Sequence, residues 1–107
     1  MNRTTVLIVE DEAALRAALG DTLKTAGFEV IAVDGGTAAL DVLQQREIGL
    51  VITDVRMDGM DGNTLLKRIR QFHARLPVLV ITAYGTVLSA VEAMRDGAQD
   101  YLAKPFA

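Results

Sequence analysis

Cysteine is absent from the 107 residues. That excludes disulfides, thiol nucleophiles and thiolate metal sites, and makes a reducing cytoplasm the simplest home. Histidine occurs once, as His73, at what is expected to be a solvated helix end, and no imidazole chemistry is assigned to it. No apolar stretch approaches the ~18 residues of a membrane span. The Val6 to Val9 run is too short for a secretory signal and ends in acid. Neither sign of charge dominates: 11 Lys and Arg stand against 14 Asp and Glu, a net of −3. So mild a balance implies no partner and argues against direct nucleic-acid binding. Repeats, linkers and low-complexity segments are missing, as are the Walker A and G-x-G-x-x-G phosphate-binding fingerprints.

What is present is 50% hydrophobic and 23% charged, over a length that suits one domain with one core. Short apolar runs at Val6 to Val9, Leu50 to Thr53 and Val78 to Ile81 read as strands buried on both faces. Glu29 to Val33 reads as a further strand, and Tyr101 to Ala103 as a short last one. Helical patterns lie between them. The first is expected to turn Leu15, Ala18, Leu19, Thr22 and Ala26 inward, with Arg16 off that stripe, and to stop at Gly27. The second, about Thr37 to Arg46, carries Ala39, Leu40 and Leu43 inward. The third, Asn63 to Phe72, does so with Leu65, Leu66, Ile69 and Phe72, and a fourth runs from Thr86 to Arg95. Strand and helix thus alternate with short connections, which predicts right-handed βαβ units and a parallel sheet.

Chemistry-bearing residues gather at strand exits. Glu10 and Asp11 follow the first strand, Asp54 the third, Thr82 the fourth and Lys104 the fifth. If the first and third strands are neighbours, these groups converge on one crevice at the carboxyl edge of the sheet, where open α/β sheets hold their ligands. Gathered carboxylates repel one another unless a cation or a shared proton lies between them. Oxygen-only ligands favour a hard ion, Mg²⁺ before Ca²⁺ or Mn²⁺. A carboxylate nucleophile, a hard metal, a lysine and a hydroxyl are the parts that form and hold an acyl phosphate.

Over nearly its whole length the chain resembles the receiver domain of bacterial two-component response regulators. The pieces that carry the likeness are Glu10-Asp11, Asp54 in ITDVRM, Thr82 in ITAYG, and Lys104-Pro105-Phe106 after Tyr101. The resemblance implies a flavodoxin-like, doubly wound α/β fold with a five-stranded parallel sheet in the order 2-1-3-4-5. It implies that Asp54 accepts a phosphoryl group from a sensor histidine kinase. Asp11, Asp54 and the backbone carbonyl of Arg56 would bind Mg²⁺, with Glu10 assisting through water. Lys104 would pair with the phosphoryl group and Thr82 would hydrogen-bond it, while Tyr101 would turn inward as an aromatic switch. The stretch Thr86 to Phe106 is most similar to receivers of transcriptional activators, which implies an output domain that binds DNA. Residues 1–107 then form one receiver that stops where the family's fifth helix would begin, with the output domain absent. The apolar surface that helix would cover makes a second copy of the chain a candidate partner.

One departure stands near the acceptor: Asp58 occupies the place, four residues after Asp54, where the family usually has proline. A pseudo-receiver that only binds partners is therefore the alternative reading. A haloacid-dehalogenase-type phosphatase would want an acid two residues after its nucleophile, where Arg56 stands. A flavodoxin would want hydroxyl and backbone donors after the first strand, not Glu-Asp-Glu. Met57 and Met60 are expected to be packing residues.

Overall fold

The computed structural model describes residues 4–55, 57, 59–82 and 100–103 of the chain, Thr82 and the last four by their backbone. The elements follow in the order β1 (Thr5–Val9), α1 (Ala13–Thr25), β2 (Glu29–Val33), α2 (Gly36–Gln45), β3 (Leu50–Asp54), α3 (Gly62–Phe72), β4 (Val78–Thr82) and β5 (Asp100–Ala103). All strand pairs are parallel, and the sheet runs β2-β1-β3-β4-β5. This is the flavodoxin-like order expected above. Each strand but β2 extends one residue past its expected bounds, so Asp54 and Thr82 close their strands rather than follow them. The expected fourth helix, Thr86 to Arg95, lies outside the described residues.

Side chains alternate across a strand, and here each parity serves a different helix layer. Leu7, Val9, Val51, Val78 and Val80 face one way and pack with Ala39 and Leu43 of α2 and Leu65, Leu66 and Ile69 of α3. Val6, Ile8, Ile52 and Ile81 face the other way, against Leu19 and Leu23 of α1 and against Phe28. Both faces of the central strands are therefore covered, which is why β1, β3 and β4 read as unbroken apolar runs. Met57 and Met60 pack against the α2–α3 side of the core, as expected.

Two expectations about helix faces need correction. In α1, Ala18, Thr22 and Ala26 are exposed, and the covered residues are Leu15, Arg16, Leu19, Gly20 and Leu23. Leucine carries far more apolar area than alanine, so the helix rotates to bury the three leucines and comes close to the sheet at Gly20. A β-carbon on that glycine would meet Val30 Cγ1 at 3.8 Å. In α3, Phe72 is 79% exposed. It ends the helix, one residue before the backbone leaves helical geometry at His73, beyond the turn that buries Leu65, Leu66 and Ile69.

The helix ends follow local chemistry. At the end of α1, Gly27 has φ +99°, a conformation glycine adopts without steric cost. Its N–H donates to the Lys24 carbonyl and that of Phe28 to the Leu23 carbonyl, both at 3.0 Å. These are the paired bonds of a Schellman termination, and Leu23 and Phe28 both pack against the same core cluster. At the start of α3, Asp61 Oδ1 accepts from the Thr64 N–H at 2.8 Å, a side-chain N-cap.

Candidate functional site

Register brings the acids together. Val9 of β1 lies opposite Thr53 of β3, so the next residues along, Glu10 and Asp54, leave neighbouring strands at the same edge. Adjacent strands are about 4.8 Å apart. Accordingly, Glu10, Asp11 and Asp54 each offer a carboxylate oxygen within 4.8 Å of the other two. Glu10 is fully buried, Asp54 is 5% exposed, and Asp11 is exposed. One acid thus forms the floor of the cluster and another its mouth. A set of only oxygens at this spacing suits a hard divalent cation, whose metal–oxygen bonds run from about 2.0 to 2.6 Å. The donor chemistry therefore fits Mg²⁺.

The backbone around the cluster is firmly held. Asp54 lies opposite Ile81 in the β3–β4 ladder, and the Val55 N–H donates to the Ile81 carbonyl at 2.9 Å. The buried Thr53 hydroxyl donates to the Asp54 carbonyl at 3.1 Å. The Glu10 N–H extends the β1–β2 ladder to the Val33 carbonyl at 3.1 Å. Thr82 is the last residue of β4, opposite Ala103, so its backbone ends at the same sheet edge, one position beyond the partner of Asp54. Tyr101 lies opposite Val80 in β5. Arg56, Asp58 and Lys104 lie outside the described residues.

Two further residues support the site, and the hydropathy pattern passed over both. Arg16 of α1 reaches back with Nη1 to donate to the Glu10 carbonyl at 2.9 Å. It tethers the peptide that joins the two adjacent acids. An arginine six residues after Glu10, early in the helix, is the only trace this leaves in the sequence. Gly62 opens α3 and packs against the end of β3. Its N–H donates to the Val55 carbonyl at 2.8 Å. A β-carbon there would lie 2.8 Å from Val55 Cα and closer still to the Asp54 carbonyl oxygen.

A family model for the response regulator receiver domain matches residues 6–107. The chain belongs to the response-regulator receiver domains. This receiver is 59% identical to the response regulator protein FleR of Pseudomonas aeruginosa over 101 residues, 94% of this chain and 21% of that protein. It is 45% identical to the transcriptional regulatory protein FixJ of Bradyrhizobium diazoefficiens over 101 residues, 94% of this chain and 49% of that protein. The receiver thus spans from about a fifth to about half the length of these relatives. In three dimensions it is similar to a response regulator receiver protein from Pseudomonas putida, with a TM-score of 0.94 and 37% identity, covering 100% of this chain and 90% of that one.

Proposed function

We propose that this receiver is a phosphorylation-dependent switch that takes a phosphoryl group onto Asp54 and controls a transcriptional output domain. The observation that carries the reading is the convergence of Glu10, Asp11 and Asp54 at one sheet edge in a chain of this family. Asp54 is the acceptor because it sits in the strand itself, with its backbone held by the ladder and by Thr53. One of its carboxylate oxygens forms the new bond to phosphorus. The P–N bond of a kinase phosphohistidine breaks, and the leaving imidazole regains a proton.

Asp11, Asp54 and the Arg56 carbonyl hold Mg²⁺ in this reading, with Glu10 acting through water. When bound, that ion supplies the positive charge that lets an anionic phosphoryl group approach three carboxylates. Arg16 and the β1–β2 ladder keep the Glu10-Asp11 peptide in place from behind. Lys104 pairs with the transferred group, and Thr82 donates a hydrogen bond to it. Tyr101 follows Thr82 inward and reshapes the face beside β5. The kinase and the output domain are the partners, and the cytoplasm is the compartment. No helix among the described residues is long and apolar enough to cross a membrane. The chain promotes its own phosphotransfer and dephosphorylation and turns over no other substrate.

Acetyl phosphate with Mg²⁺, followed by intact-mass measurement, tests this directly. One phosphoryl increment is expected, absent in Asp54→Asn and absent in EDTA. An increment that persists in either condition would overturn the assignment.

A further inference from the structure

The inward stripe of α3 does not stop where the core does. Phe72 stands seven residues after Leu65, almost two full turns, and so shares the face that Leu65 and Ile69 bury. Yet it is 79% exposed, and it is the exposed large hydrophobic among the described residues. With Leu40, Leu43 and Ile69 it lines a hollow of about 560 Å³ between α2 and α3. A second hollow of about 470 Å³ shares Leu43 and His73 with the first and continues to Leu76 and Pro77. Both volumes fall in the ~300–1,000 Å³ range of occupied sites.

The rim is cationic in an acidic chain. Lys67, Arg68, Arg70 and Arg75 crowd into nine residues, and no Asp or Glu occurs between Asp61 and Glu92. Arg68 borders the first hollow and Arg75 the second. Arg70 is turned to the protein, donating to the His73 and Leu76 carbonyls at 3.1 and 2.6 Å. It braces the turn while adding charge. Glu47 is the one carboxylate that lines either hollow among the described residues.

We propose that this face docks an acidic amphipathic segment of a partner protein. An apolar side chain seats against Phe72, and carboxylates meet Arg68 and Arg75. Charge complementarity selects the occupant: the positive rim suits an acid, and the apolar floor offers a phosphate backbone nothing. Duplex DNA also needs a broad basic face, whereas Arg68 here borders a hollow floored by Leu40, Leu43 and Ile69. The face lies toward the opposite end of the sheet from the carboxylate cluster, because α3 runs back from the β3 exit to the β4 entry. A partner there leaves the metal site open.

The test is an amide-shift NMR titration of the ¹⁵N-labelled chain at low salt. The probe is a synthetic helical peptide of about 18 residues, five turns, with one face of Glu and the other of Leu and Phe. The same peptide with Lys for Glu and a single-stranded oligonucleotide are run beside it. Saturable shifts are expected at Leu40, Leu43, Phe72 and His73. Binding should weaken about tenfold or more in Phe72→Ser, in the Lys-for-Glu peptide and in Arg68→Glu/Arg75→Glu. Phe72→Ser should retain the parent melting temperature and Mg²⁺ affinity, because the side chain is already exposed. Absence of binding at millimolar peptide, or binding indifferent to Phe72→Ser, would overturn the proposal. So would tighter binding of the oligonucleotide at this face, or light scattering showing that a second copy already occupies it.

Discussion

Replacing Gly62 with alanine tests whether α3 is wedged against the backbone at the end of β3. The added carbon would sit 2.8 Å from Val55 Cα and 2.9 Å from the Asp54 carbonyl carbon. Carbon atoms prefer about 3.5–4.0 Å, so something must move by more than half an ångström. Both neighbours are backbone atoms at the end of a central strand, tied across to Ile81. The helix start must therefore back away, lengthening the Gly62–Val55 hydrogen bond. Overpacking typically costs about 1–3 kcal/mol, and the weakened bond adds about 1 kcal/mol. Alanine's better helix propensity returns up to ~1 kcal/mol. The balance is a loss of about 1–3 kcal/mol, or roughly 5–15 °C in Tm for a domain near this size. Gly36→Ala is the control, because its new carbon meets only side-chain atoms of Met60, Sδ at 2.7 Å, Cβ at 3.0 Å and Cγ at 3.1 Å, so that loop residue need give by only a few tenths of an ångström. A flexible thioether can turn aside, so a loss below ~1 kcal/mol is expected there. Urea and thermal unfolding, each with and without Mg²⁺, measure both effects. A Gly62→Ala protein as stable as its parent, with unchanged Mg²⁺ affinity, would refute the wedge.

Three other substitutions probe separate links. Asp54→Asn relieves repulsion among three clustered carboxylates, so in EDTA it should be more stable than the parent by about 1 kcal/mol; it should also lose the Mg²⁺-dependent gain, and lower stability in EDTA would contradict the repulsion argument. Arg16→Met removes the donor to the Glu10 carbonyl and should weaken Mg²⁺ binding by about tenfold, even though it also removes a cation that opposes the metal. Calorimetry showing equal or tighter binding would mean that the charge outweighs the tether. Gly27→Ala meets no atom within 4 Å, so its cost of about 1–2 kcal/mol comes from the positive φ alone. Unchanged denaturant midpoints would show that the α1 terminus relaxes freely.

Much of the fold could be read because burial on two faces leaves a plain mark. Val6 to Val9 and Val78 to Ile81 are apolar at every position, since Leu7, Val9, Val78 and Val80 serve α2 and α3 while Val6, Ile8 and Ile81 serve the α1 side. Strand exits could be read for the same reason, as the places where such runs meet acid or hydroxyl. Helix faces were harder. A 3.6-residue period says which residues share a side, but not which of two adjacent stripes wins, and in α1 the leucines outweighed the alanines. Nor does it say where the neighbouring layer ends, which is why the pattern alone points Phe72 inward. The role of Arg16 was hidden because its partner is a carbonyl, a group every residue carries. Gly62 was hidden because close approach of two backbones leaves no pattern in hydropathy.

The alternation of the central strands also guards the site against misassembly. Suppose β3 slid by one residue along β1. Asp54 would shift by about 3.3 Å and its side chain would swing to the other face, away from Glu10. Val51 would then face α1 and Ile52 the α2–α3 side, exchanging a smaller and a larger residue between two packed layers. The same slip thus breaks the core and scatters the carboxylates. A one-residue slip cannot keep one while losing the other. If Mg²⁺ binds this cluster, the stabilisation it adds reports strand register, and can be followed on a refolding time course without any structural probe.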